Sequence, residues 1–232
     1  MSSALLPGAD GGTRTLLVVD AGNHGRSRTA ALAGAVADTC LASLTPRARS
    51  SGRQSDDRPW SIVRVDLRDH GHDLLDALVL GHRSGAVDAI VEASCRADLL
   101  VFATPCHNAS ISALGKLYLD VLPQGAMIAK PVVIAVAGSS TRHTLVGDLV
   151  VRPLLSTVGA RPIPTSLYAA EDDWLAVPAD NALGPQLNSD MAARIARAAH
   201  EAAWATYEFR STSGLAAVGS PREWHKRASL TV

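Results

Sequence analysis

VFATPCHNASISALGKLYLDVLP, residues 101–123, joins an apolar strand to an amphipathic helix through a short polar loop. The strand is expected over 99–103 and ends in the Thr104-Pro105 turn. The helix is expected over 111–122 and carries Lys116 and Asp120. Between them Cys106, His107, Asn108, Ala109 and Ser110 crowd donors and acceptors beside a proline that fixes the backbone. A loop of this kind, at the carboxyl end of a parallel strand, suits a flat polar heterocycle whose edge is read by backbone amides.

Outward from this stretch the pattern repeats. Apolar runs at 15–21, 61–67, 131–137 and 161–167 accompany 99–103, and most are continuous rather than alternating, as in strands buried on both faces. Helical periodicity falls at 27–43, 85–96, 144–158 and 186–207, besides 111–122. This alternation predicts an α/β fold, a three-layer sandwich with helices on both faces of a five-stranded parallel sheet. The flavodoxin-like strand order 2-1-3-4-5 fits five strands. Two more loops, near Asn23 and near Ser139, follow apolar strands, and together the three suggest a flavin site.

The 232 residues are 47% apolar, enough for one core covered on both sides of a sheet. Residues 14–210 are expected to form that domain. Residues 1–13 are expected to be disordered, 46–58 to be a solvated insertion, and 211–232 to be a mobile tail or an arm to a neighbouring subunit. Twenty-two basic and 22 acidic residues cancel, so no global field draws the chain to nucleic acid or an acidic membrane. No run approaches the roughly 18 apolar residues of a membrane span, and no signal segment is recognised. Three unpaired cysteines, Cys40, Cys95 and Cys106, fit a reducing cytoplasm.

The first loop, AGNHGRSRT, precedes a clean helical pattern. Gly22 and Gly25 are expected to supply a tight turn with positive φ and close ligand approach. Ser27 is the N-cap candidate. The helix end favours a phosphate, with Ser27, Thr29 and the Arg26 or Arg28 cation nearby. Taken alone, the loop reads first as an ordinary capped helix with solvent-facing arginines. It has neither a Walker sequence nor a GxGxxG fingerprint.

TPCHNASISALGKLYLD resembles the TP-x-[YF]-N-x-S-x-S-G-x-x-K-x-x-x-D segment of NAD(P)H-dependent FMN reductases, and AVAGSSTRHTLVGDLVVRPLLSTVGA resembles their fourth-strand loop. Within that family the resemblance points to the subgroup partnered with luciferase-like flavin monooxygenases. It implies the flavodoxin-like fold, FMN as cofactor, NADH or NADPH as hydride donor, and a homodimer or homotetramer. It matches Ser27 and Thr29 to the family's phosphate-loop hydroxyls, and Thr104, Pro105, His107, Asn108, Ala109 and Ser110 to the loop at the ring edge and ribityl chain; Gly22, His24, Arg26 and Arg28 in the first loop and Cys106 in the second are further cofactor-binding candidates. Gly138, Ser139, Ser140, Arg142 and His143 would flank the other side of the ring. His24 stands where many relatives have Ser, His107 replaces Tyr or Phe, and Ala113 replaces Gly. No protein nucleophile is expected, because the cofactor carries the hydride chemistry.

Blander readings stand beside these. Asn108 and Ser110 would merely cap the next helix, Lys116 and Asp120 would be a surface pair or, as the resemblance implies, lie at a subunit contact, and Cys106 would be a buried, inert thiol. RDHGHD at 68–73 reads as a polar loop after a strand in preference to a metal site. The segment from Glu171 to Trp174 would close over nicotinamide or lie between subunits. Competing functions are a quinone, azo-dye or chromate reductase, a flavodoxin-type electron carrier, and a flavin-free binding module. Only 4% aromatic residues and zero net charge favour the reductase over a carrier.

Overall fold

A computed structural model describes residues 12–25, 27–44, 58–176 and 184–211, with side chains to 207. The segments expected to be disordered or inserted (1–13, 46–58, 211–232) lie almost wholly outside those residues, and Arg26 lies outside them too.

Strand β1 (Arg14–Asp20) leads into α1 (Arg28–Leu44) and β2 (Trp60–Asp66). A 3₁₀ turn and two helices follow, α2 (Gly71–Leu80) and α3 (Gly85–Arg96). Next come β3 (Leu99–Pro105), α4 (Ala113–Val121) and β4 (Pro131–Ala137). A π-helical turn at Gly147–Val151 runs into α5 (Arg152–Thr157), followed by β5 (Arg161–Pro162), β6 (Leu167–Ala169) and α6 (Ser189–Ser211). The parallel order is β2-β1-β3-β4-β5, with β6 also on β4, which bears out the expected flavodoxin-like sandwich.

The strand sequences explain the layers. Successive side chains alternate across a strand, so Leu17, Val19, Leu100 and Phe102 pack under α2–α5, whereas Leu16, Val18, Leu99 and Val101 pack under α1 and α6. Both faces are therefore apolar. Helix α1 buries Leu32, Ala33, Val36, Ala37 and Cys40, the three-and-four spacing of one helical stripe.

Three expectations need correction. The 68–73 segment is no loop: Leu67–His70 forms the 3₁₀ turn, its start capped by Asp66, and Gly71 begins α2. The expected fifth strand over 161–167 is two short pieces. Pro164 has no N–H to give, and Arg152 donates to the carbonyls of Pro162, Ile163 and Pro164 at 3.2, 2.8 and 3.1 Å. Thr165 turns its N–H to Glu201 of α6, 2.8 Å away. The expected 144–158 helix is likewise broken by the π turn. There Gly147 sits so close to the split strand that a Cβ would lie 1.9 Å from Ser166 Oγ. Among the described residues no helix is long and apolar enough to cross a membrane.

Candidate functional site

The carboxyl ends of β1, β3 and β4 lie side by side, so the three loops meet along one edge of the sheet. Buried Thr104 and Ser112 join the first two. Ser112 Oγ donates to the Ala21 carbonyl at 2.8 Å and accepts from Gly115 N–H at 3.1 Å, and Ser112 N–H donates to Thr104 Oγ1 at 3.1 Å. Ser112, not Asn108 or Ser110, thus caps α4. Asn23 Nδ2 lies 3.0 Å from His107 Nε2 at the exposed rim. The third loop is tied in as well: Cys106 N–H donates to the Ala137 carbonyl at 2.7 Å, Gly138 N–H to Ala169 at 2.9 Å, and Tyr168 Oη to Ser140 at 2.7 Å.

In the first loop Ser27 is the N-cap of α1. Its Oγ accepts from Ala30 N–H at 3.1 Å and its carbonyl from Ala31 at 3.0 Å. The amides of Arg28 and Thr29 precede the helix's own hydrogen bonds and point out of its end, where the dipole favours an anion. Gly22 and Gly25 do not adopt positive φ, so that expectation fails. Gly22 is tightly placed, a Cβ there standing 2.9 Å from Asp20 Oδ1 and 3.0 Å from Ser27 Oγ, whereas one on Gly25 would meet only the flexible end of Arg68. Burial pushes the Asp20 carboxyl up, opposed by the Gly22 N–H that donates to it at 2.8 Å. Thr29 is buried and His24 exposed.

Arg28 does not point into the loop. Its guanidinium grips Glu171 through both nitrogens and lies 5.6 Å above the Trp174 ring. That hydrogen bond holds Glu171 below the usual carboxylate range.

In the second loop β3 runs on through Pro105, so the Thr-Pro pair ends the strand and does not form the turn. The turn is the next one. His107 and Ser110 exchange two backbone bonds of 2.9 Å, with Asn108 and Ala109 at φ 49° and 58°. Two central residues at positive φ are the mark of a type I′ turn; Asn108 and Ala109 at its tip are exposed, and the Ala109 N–H reaches back to the Cys106 sulfur. Cys106 is half-buried, against Tyr168, and burial pushes its thiol up, which leaves it weakly nucleophilic.

In the third loop Thr141–His143 forms a 3₁₀ turn whose Arg142 N–H reaches Ser140 Oγ at 3.3 Å. Ser139 and Arg142 are exposed, His143 half-buried, and the Arg142 guanidinium has no hydrogen-bond partner among the described residues. A Cβ on Gly138 would stand 2.0 Å from Tyr168 Oη, so only glycine fits there. Lys116 Nζ pairs with both Asp120 carboxylate oxygens at 2.7 Å on the exposed face of α4.

Beside Ser110 a cleft of about 530 Å³ opens between α4 and α5, lined by Ile111, Ser112, Lys116, Leu149 and Leu154. A cleft of about 480 Å³ at the opposite end of the sheet, by Pro131, Arg161 and Trp204, is remote from the three loops. Sequence reasoning missed Ser112 and Tyr168. The first had a signal, a Ser three residues before Gly115 at a helix start; the second had none.

These residues fit a phosphorylated flavin. Amides and hydroxyls stand at the helix end, and an exposed turn and a close glycine-lined backbone stand where a ring edge would lie.

A family profile described as NADPH-dependent FMN reductase matches residues 15–174. The NADH-dependent FMN reductase SfnF of Pseudomonas fluorescens is 36% identical over 110 residues, 47% of this chain. The match spans only 59% of that relative's length. An oxidoreductase of Corynebacterium diphtheriae has a similar structure, with TM-score 0.71 and 31% identity, over 85% of this chain and 98% of that one. The apo form of the NADH:FMN oxidoreductase EMOB gives TM-score 0.61 and 25% identity, over 94% of this chain and 100% of the other.

Proposed function

The chain belongs to the NADPH-dependent FMN reductase family, and on that footing we propose that it binds FMN across the three loops and reduces it with NADH or NADPH. The observation that carries this is the convergence of the loops through Ser112 and Tyr168 beside a capped, anion-ready helix end. In this reading the Arg28 and Thr29 amides and the Ser27 hydroxyl hold the phosphate. Ser27 Oγ uses a lone pair on Ala30, so its proton is free to be donated. The 105–110 turn lines the ring edge and ribityl chain, and Ser139, Ser140, Arg142 and His143 flank the far side. Bound FMN supplies the hydride-accepting centre. The protein's share is to hold the two rings in contact, exclude water, and set donors where negative charge develops.

The unit is a single domain over 14–210 that works in the cytoplasm, where Cys40, Cys95 and Cys106 stay reduced. A second copy covers the cleft beside Ser110. Leu149, which lines it, is 69% exposed, and Leu145, one turn earlier, is 60% exposed. Homodimer or homotetramer assembly would complete the ring pocket, and reduced flavin would pass to a flavin-dependent monooxygenase.

The test is FMN titration followed by NADH and NADPH oxidation at 340 nm. Flavin-dependent, sustained oxidation supports the reductase. Bound flavin without oxidation would mark an electron carrier, and absence of binding would mark a flavin-free module.

A further inference from the structure

The Arg28–Glu171 clasp is a feature that flavin binding alone does not require. Arg28 is the first residue of α1, beside the capping Ser27. Its Nη2 lies 2.6 Å from Glu171 Oε1, and Nη1 binds the other oxygen. Trp174 floors the guanidinium. The backbone that carries this carboxylate is fastened at several points. Ala170 N–H donates to Asp173 Oδ2 at 2.8 Å, Asn188 N–H to the Asp173 carbonyl at 2.9 Å, and Leu175 N–H to Gln186 at 2.8 Å. Asn188 Nδ2 adds a bond to the Asp172 carbonyl at 2.9 Å. A carboxylate carried on a fastened segment therefore stands against the first residue of α1, the helix end proposed to take the phosphate.

Carboxylate and phosphate oxygens engage the guanidinium fork in the same bidentate way. One fork cannot serve both fully. We propose that Glu171 is an internal competitor: it occupies Arg28 in the free protein, and the terminal phosphate of a phosphomonoester ligand must displace it. This deepens the flavin reading and rests on the phosphate lying at the α1 end. Its consequence is a site that prefers FMN to riboflavin by less than the Arg28 cation would otherwise give. Such a site releases its flavin readily, as suits a protein handing reduced flavin onward. The pair is open to a ligand, its side chains being 39% and 59% exposed.

The test is flavin-fluorescence titration of the full chain with FMN and, separately, riboflavin, for wild type, Glu171→Gln, Arg28→Ala and the double variant. Glu171→Gln should tighten FMN by about fivefold or more, the scale of one charge-assisted hydrogen bond, and leave riboflavin unchanged. The gain should vanish in the Arg28→Ala background. Unchanged or weakened FMN binding in Glu171→Gln would overturn the proposal. So would equal tightening of riboflavin, or a gain that persists without Arg28. Wild-type protein binding both flavins equally, with α1 variants silent, would overturn the phosphate assignment itself; the riboflavin arm separates that failure from a failure of the competitor alone.

Discussion

Replacing Ser112 with Ala removes the hydroxyl that staples the first loop to the second. The side chain is 1% exposed and makes two bonds, donating to Ala21 O at 2.8 Å and accepting from Gly115 N–H at 3.1 Å. Loss of an N-cap costs about 1 kcal/mol. The buried Ala21 carbonyl then has no donor, which costs about 1–3 kcal/mol more. Together these give about 2–4 kcal/mol, a fall in Tm of roughly 4–16 °C for a domain of this size. Urea denaturation followed by far-UV circular dichroism measures it. Ser110→Ala is the control, since that hydroxyl makes no hydrogen bond among the described residues, and it should stay within about 0.5 kcal/mol of wild type. A Ser112→Ala protein as stable as that control would refute the staple.

Three further outcomes are expected. Ser27→Ala with Arg142→Ala should raise the FMN dissociation constant about tenfold or more, each losing a hydrogen bond of ~1–3 kcal/mol, as read by flavin-fluorescence quenching. Ala109→Gly should stabilise the protein by up to about 1 kcal/mol in the same urea assay, because Ala109 sits at φ 58°, where its Cβ is strained. Burial pulls the Lys130 ammonium down to about 8, from 10.5, although its Nζ donates to the carbonyls of Cys95 and Ala97 near the end of α3. The unfolded chain then binds more protons than the folded one between those two values, so this lysine makes stability rise with pH across that window and contributes no slope below it. Lys130→Met, compared with wild type by urea denaturation from pH 7 to pH 10, should flatten that rise.

Much of this architecture is visible in the chain. Runs such as PVVIAVA, buried along their whole length, have one stable setting, the middle of a parallel sheet covered on both sides. What stayed hidden depends on contacts between distant segments. The fifth strand reads as continuous, yet its carbonyls are claimed by Arg152 and its Thr165 N–H by Glu201, partners ten or more residues away. Helix α2 hides behind the polar RDHGHD because its exposed Leu78, Val79 and Leu80 blur the helical stripe. At the site, the motif residues after β1, β3 and β4 do come together. Arg28 was placed on a phosphate by sequence adjacency alone, and the fold turns it toward Glu171, 143 residues on. Ser112 escaped notice because two nearer polar residues, Asn108 and Ser110, offered themselves as the cap, and their backbone instead forms the His107–Ser110 turn.

Amide chemical shifts of the ¹⁵N-labelled protein, recorded with FMN and then with riboflavin, test the flavin assignment most directly. FMN should move the amides of Ser27, Arg28 and Thr29 together with those of the 107–110 turn and of Ser139 to Arg142, and riboflavin should move only the latter two groups. Shifts confined to the distant cleft around Trp204, or a phosphate that leaves the start of α1 untouched, would contradict it.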